Sequence, residues 1–372
     1  MIIYVKECSA INVNTIIPWF SKTITIRPLT SIDHITINDV LVISNTDNSI
    51  HNDLSNYNTL IYEEFSEKLS LNIIQEFQNN HDYYYLKDAL SDSIRPNIST
   101  LISGSSYGAF GIDASLLNNA VNLSSISQDL YYSLKLIYSA CETNPNIKNI
   151  VLCMGYYYFF SDLSKAQNPK EIQRISKVYN PLFNDIHNCV LLPPKQNILY
   201  ESKIFDIQTV LNAYTQSEYI KGFFHQNRPR KNYALKEWDN KNKDWCELST
   251  IEKKEAGRRR ATQHNRIIKR ESSLQENVYL FNNFLDFCKN KKINLLIVIT
   301  PSTPYYLNCL LPEYKSTFYD ILDQVDGIIH LLDLSDDSSF TDEDFIDTDH
   351  LNDKGAQKLT SIILNVLHEL YI

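Results

Sequence analysis

Apolar residues come in two rhythms along this chain. From residue 98 onward, short apolar runs at 99–103, 120–123, 147–154, 293–300 and 327–332 are each bounded by turn-forming residues. Runs of that length without polar alternation are those of strands buried on both faces. Between them, stretches at 114–119, 129–141 and 275–290 repeat apolar positions three and four residues apart, which predicts helices. Strands alternating with helices predict a parallel sheet covered on both sides. The expected class is α/β, a flavodoxin-like three-layer α/β/α domain of about five parallel strands. Its ligands should lie beyond the C-terminal ends of the strands.

The first 95 residues follow the same rhythm on a smaller scale. Strand-like runs at 2–5, 23–26, 40–44 and 59–62 surround one helix-like stretch at 64–77. The polar segment 91–97 reads as a linker. The expected organisation is therefore a small N-terminal α/β domain over 1–95 and a larger domain over 96–372. Within the larger domain the regularity breaks at about 165–270. Pro193-Pro194, a helix-like stretch at 202–217 and a basic tract at 253–270 predict an insertion after the third strand, with structure of its own.

Composition narrows the class further. Of 372 residues, 43% are hydrophobic and 21% charged, as in a globular protein large enough for two domains. No stretch reaches the roughly 18 apolar residues of a membrane span, and the N-terminus lacks a signal-peptide pattern. Seven cysteines, with no Cys-x-x-Cys pair, predict reduced thiols and a cytoplasmic location. Eight glycines and no phosphate-binding loop argue against a dinucleotide site.

The net charge of −9 is uneven, because residues 221–270 carry 15 Lys/Arg against 6 Asp/Glu. Such a segment either meets something anionic or forms a solvated helix face. A nucleic-acid partner is not expected, since the rest of the chain is strongly acidic. Peripheral contact with anionic lipid through 253–270, or a grip on a substrate phosphate by residues such as His264 and Arg266, stays open. No metal site is expected at His264, which has no ligand partner at metal-binding spacing.

Chemistry is concentrated in two segments. Gly104-Ser105-Ser106 sits where the first long strand of the larger domain turns into a helix, so Ser106 comes with helix N-terminal N–H groups beside it. Asp347-Thr348-Asp349-His350 places an acid three residues before a histidine, ahead of a last amphipathic helix. Serine needs a base to take its proton, and imidazole needs a group to orient it. The two segments supply all three, in the order Ser…Asp…His. Each segment alone reads as a helix cap or an acidic surface loop. Together they predict Ser106 as nucleophile, His350 as general base and then acid, and Asp347 as its orienting group.

At these residues the chain resembles the SGNH (GDSL-like) esterase and acyltransferase superfamily, over about residues 98–372 with the insertion unmatched. Gly104-Ser105-Ser106 stands at the family's Gly-Asp-Ser block, with the Gly-Ser-Ser variant of the lipoteichoic acid D-alanyl transfer protein. Asp347 and His350 match its Asp-x-x-His block. Ser125-Ile-Ser-Gln-Asp129 stands at the block that normally supplies a glycine N–H to the oxyanion, and puts Gln128 there. Gly155-Tyr-Tyr-Tyr158 stands at Gly-x-Asn-Asp, and puts Tyr157 at the asparagine position. The resemblance thus implies oxyanion donors at the Ser106 and Gln128 backbone N–H groups and the Tyr157 hydroxyl. Losing one such donor costs roughly 100- to 1000-fold in rate.

It further implies acyl transfer on a carbohydrate, by an O-acetyltransferase or O-acetylesterase of surface-polysaccharide synthesis. Acetyl-CoA or another acyl donor would be a co-substrate, with no tightly bound cofactor. Tyr156 and Tyr158, with His264 and Arg266, are the expected substrate-binding residues, because the run 156–160 follows a strand at the site edge. Aromatic faces there suit sugar C–H surfaces, and they equally suit a core beneath the insertion. The rival expectation is a degenerate SGNH domain that binds glycan or a protein without chemistry.

Overall fold

A computed structural model describes residues 2–17, 24–36, 38–47, 57–67, 81–117, 119–191, 245–325 and 329–371. The protein is α/β throughout, with two parallel sheets. The chain divides into two compact units between Tyr84 and Tyr85, inside the helix His81–Ser93. In the first unit, β1 (Ile2–Val5), β2 (Thr25–Pro28), β3 (Val40–Ile43) and β4 (Asn58–Ile61) pair in the order β2-β1-β3-β4. Alternate residues point to opposite faces. Ile3, Val5, Val40 and Val42 therefore share a core with Ile11, Ile16 and Phe65, while Leu41 and Ile43 pack on the other side.

The second unit carries the five expected strands. They are β5 (Thr100–Gly104), β6 (Ala120–Asn122), β7 (Asn149–Met154), β8 (Asn294–Ile299) and β9 (His330–Asp333), all parallel, in the order β6-β5-β7-β8-β9. Renumbered from β5, that is the 2-1-3-4-5 order of flavodoxin-like sheets. The central strands are buried on both faces; Ile150 to Met154 have no exposed surface at all. Helices α1 (Ser106–Gly111), α2 (Leu130–Thr143), α3 (Pro169–Arg174), α4 (Thr250–Asn265), α5 (Glu271–Lys291), α6 (Pro312–Asp323) and α7 (Asp353–Tyr371) complete the unit. Helices α1 and α7 pack together, as do α2 and α5, the pairing expected when right-handed crossovers cover both faces of such a sheet. Among the described residues, no helix is long and apolar enough to cross a membrane.

Besides the stretch 114–119, whose residues 114–117 form a turn and bend and not the expected helix, three expectations change. Segment 91–97 is not a loose linker: the helix runs on to Ser93, and the Asn144 carboxamide donates to the Ser93, Arg95 and Ile98 carbonyls at 2.8–3.1 Å. Bound this way, the segment belongs to the second unit. The stretch 165–270 is not wholly an insertion either. Its last part is α4, started by a capping box between Ser249 and Glu252 and packed against the single turn Pro304–Leu307. A Cβ on Gly257 would lie 2.2 Å from the Tyr305 carbonyl oxygen, so only glycine permits that approach. The third concerns the aromatic run: Tyr156, Tyr158, Phe159 and Phe160 are all buried. The expected helix at 202–217 lies outside the described residues, as does most of the one at 64–77.

Gly104 ends β5 at φ +144°, and a Cβ there would sit 2.2 Å from the Cys153 carbonyl oxygen of β7. Substituting Gly104→Ala must therefore strain the backbone and push the two strands apart. Urea unfolding is expected to show a loss of ~3 kcal/mol or more relative to the unchanged chain.

Candidate active site

The chain leaves β5 through Gly104 and turns at once into α1, with Ser105 as N-cap. Ser106 is the first residue of α1, so its N–H has no acceptor within the helix. The loop after β9 returns to the same edge of the sheet. Between Phe345 and Leu351 it folds into a tight hairpin, closed by the Ile346 N–H on the His350 carbonyl at 2.9 Å. Thr303, in the loop after β8, anchors this hairpin by donating its N–H and its hydroxyl to the Thr348 carbonyl, at 3.0 and 2.7 Å.

These loops bring the three expected residues together. His350 Nε2 lies 2.8 Å from Ser106 Oγ, across 244 residues of chain. His350 Nδ1 lies 3.0 Å from both carboxylate oxygens of Asp347. Asp347 also accepts the backbone N–H groups of Asp349 and His350, at 3.0 and 2.9 Å, which fixes its carboxylate in place. With the Nδ1 proton held by Asp347, Nε2 is left as acceptor for the serine hydroxyl. Phe110 and Tyr107 flank the imidazole, at ring-centre distances of 4.9 and 5.5 Å.

Ser106 and His350 open into a pocket of about 810 Å³, whose wall includes Ile126 to Gln128, Tyr157, Tyr158 and His264. The remaining expected residues divide. Gln128 borders the pocket, but its backbone N–H donates to the Ser125 carbonyl at 3.2 Å within a turn. That contradicts its expected role as an oxyanion donor. Its carboxamide is structural, donating to the Gly104 and Leu123 carbonyls at 2.9 and 3.1 Å and so clamping the ends of β5 and β6. The hydroxyl of Tyr158 donates to the Gln128 carbonyl at 3.0 Å and lies 2.8 Å from Ser133 Oγ, which braces the same clamp. Tyr156 does not line this pocket: its hydroxyl donates to Asp333 at 2.5 Å and its ring packs edge-on against Phe318. Both tyrosines were expected to bind substrate; Tyr156 instead belongs to the core, and Tyr158 mainly supports the wall. Tyr157 does face the pocket, with its ring stacked on His264 at 3.9 Å. Arg266 also lines it.

Sequence reasoning missed the group beneath the triad. Asp349 is 1% exposed, although it sits in what reads as an acidic surface loop. Arg260 Nε donates to both its oxygens, at 3.1 and 3.0 Å, and the Tyr107 hydroxyl donates to Oδ2 at 3.0 Å. Burial opposes the charged form of Asp349, yet Arg260 and then His350 hold its carboxyl below the usual range. Asp349 lies 3.7 Å from His350 Nδ1, farther than Asp347, so Asp347 is the carboxylate that orients the ring. A signal was available in the spacing of Gly257, Arg260, Ala261 and His264, which places them on one face of a helix.

His264 is half-buried under Tyr157, with Nδ1 2.6 Å from the Tyr306 hydroxyl. Burial, then the Arg260 charge, hold its imidazole well below its usual pKa, so it stays neutral. Asp129, Asp162 and His187 bring one potential metal-ligating atom each within 4.8 Å of one another. Their carboxylates are already engaged, by the Tyr132 and Leu163 N–H groups on Asp129 and by Lys165 and Ser164 on Asp162. The set reads as a structural knot.

A protein-family model matches residues 247–371, about a third of the chain, which includes α4 and the Asp347–His350 hairpin. No curated protein matches. Among solved structures, one described as "a putative platelet activating factor from Streptococcus pneumonia" is similar at 11% identity and a TM-score of 0.33. That likeness covers 82% of this chain and 99% of the other.

Two outcomes follow from the buried charges. Arg260→Met leaves the buried Asp349 carboxylate without its counter-charge, and urea unfolding should show a loss of about 3–5 kcal/mol. Adding Asp349→Asn to that variant should recover part of it. For His264, the folded state keeps the imidazole neutral while the unfolded chain takes up a proton near pH 6.5. Stability is therefore full above that pH and declines as pH falls below it. Thermal melts between pH 7.5 and 5 should show this slope in the unchanged protein and a shallower one in His264→Gln.

Proposed function

We propose that the protein is a serine-dependent acyltransferase or esterase that works through an acyl-Ser106 intermediate. The observation that carries this reading is the continuous chain from Ser106 Oγ through His350 to Asp347, at 2.8 and 3.0 Å. As Ser106 attacks an acyl carbon, His350 Nε2 takes the hydroxyl proton and Asp347 stabilises the imidazolium. The bond to the leaving group breaks, and His350 returns the proton to that group. A second hydroxyl, from a sugar or from water, then gives its proton to His350 and attacks the acyl carbon; the bond from that carbon to Ser106 Oγ breaks, and His350 returns the proton to Oγ. The Ser106 N–H faces the developing oxyanion, and the Tyr157 hydroxyl is the side-chain donor on the same wall.

The carbohydrate acceptor, and acetyl-CoA or a similar acyl donor, rest on the resemblance to SGNH acyltransferases. One observation favours the second reading, a binding module of the same fold without chemistry. With the Gln128 N–H used inside its turn, the oxyanion hole is one backbone donor short of the family pattern.

Fluorophosphonate labelling followed by peptide mapping separates the two. The reactive-serine reading predicts a label on Ser106, none in Ser106→Ala or His350→Ala, and labelling slowed about 1000-fold or more in Asp347→Asn. An intact, folded protein that takes no label would leave the binding-module reading standing.

A further inference from the structure

The lining of the pocket is rich in cations. Arg174 comes from the end of α3, while Arg266 and Arg270 come from the turn between α4 and α5; all three line the same pocket as Ser106. Lys170 adds a further positive charge at the rim, and Asp162 and Glu171 are the carboxylates along it. Of the five cations, Arg260 is committed to Asp349. Asp162, for its part, is held by Lys165 and by the Ser164 N–H.

Backbone carbonyls hold Arg270. Arg270 donates to the Asp162 and Lys165 carbonyls at 3.3 and 2.7 Å, and Arg174 donates to Ser125 Oγ at 2.7 Å, next to the turn that borders the nucleophile. Among the described residues, no carboxylate lies within ion-pair distance of Arg266 or Arg270. Half-burying a guanidinium beside backbone carbonyls costs solvation that a fixed counter-charge would normally repay. Guanidinium groups arriving from two segments, with Arg266, Arg270 and Lys170 set against Glu171 for a positive excess of about two charges, suit a group carrying several oxygens and about two negative charges. A phosphate ester or diphosphate meets that description, and a lone carboxylate does not.

We infer that the pocket binds a phosphorylated substrate, with Arg266, Arg270 and Arg174 holding the phosphate while the acyl carbon or its acceptor hydroxyl lies at Ser106. This deepens the acyl-transfer reading and rests on it for the direction of the reaction. Two carriers share the chemistry: a coenzyme A thioester on the donor side, or a nucleoside diphosphate sugar on the acceptor side.

Isothermal titration of the full chain with inorganic pyrophosphate, at constant ionic strength, tests it. Binding is expected in the unchanged protein and equally in Ser106→Ala, so loss of catalysis and loss of anion binding are read separately. Arg266→Ala and Arg270→Gln should each weaken it about tenfold or more, which corresponds to about 1.4 kcal/mol. Lys254→Ala, on the exposed side of α4, should leave it unchanged. Coenzyme A and uridine diphosphate are then titrated in turn. Tighter binding of coenzyme A places the phosphate on the donor, and tighter binding of uridine diphosphate places it on the acceptor. The inference is overturned if pyrophosphate does not bind, if Arg266→Ala binds it unchanged, or if neither phosphate ester binds.

Discussion

The second unit is tied together by one buried carboxylate. Asp349 accepts the Tyr107 hydroxyl from α1 and the Arg260 guanidinium from α4, and it sits one residue from His350. Three segments far apart in sequence meet on its two oxygens. An ionised carboxylate with 1% exposure is stable only while such partners stay in place. The geometry of the site is therefore set from below: moving Arg260 or Tyr107 moves the hairpin that carries the imidazole.

The same arrangement divides labour between two acids. Asp347 lies 3.0 Å from His350 Nδ1 and is itself fixed by two backbone N–H groups, so it can hold the ring and stabilise its charge. Asp349 is closer to Arg260 than to the ring, and the guanidinium offsets its charge. His264 stays neutral in the same neighbourhood because burial and Arg260 both disfavour a proton there. The imidazole of His350 is thus the ring presented to Ser106, beside a pocket lining whose excess charge is positive. That sign suits chemistry in which an oxyanion develops on the substrate.

Much of this was legible in the chain. The five long-range strands declare themselves because strands buried on both faces must be almost wholly apolar, and 147–154 and 293–300 are. Ser106, Asp347 and His350 could be paired because the ends of parallel strands fall at one edge of a sheet. Other features were misleading for identifiable reasons. The run Tyr156 to Phe160 reads as a sugar-binding rim, but a turn sends most of its rings inward, so Tyr156 finds Asp333 and only Tyr157 fully faces the pocket. The basic tract reads as an anion grip or a solvated face, yet Gly257 lets α4 press against Tyr305, and Arg260 and His264 on the same helix become half-buried. Helical spacing marks the face that carries Arg260, but its pairing with Asp349 spans 89 residues and follows from tertiary packing.

The central claim is that Ser106 is a nucleophile because His350 and Asp347 make it one. Intact-mass spectrometry and peptide mapping after reaction with an aryl acetate test this most directly. Stoichiometric acetyl transfer to Ser106, with no such adduct in His350→Ala, is the predicted result. An acetyl group found on another residue, or on Ser106 just as readily without His350, would contradict it.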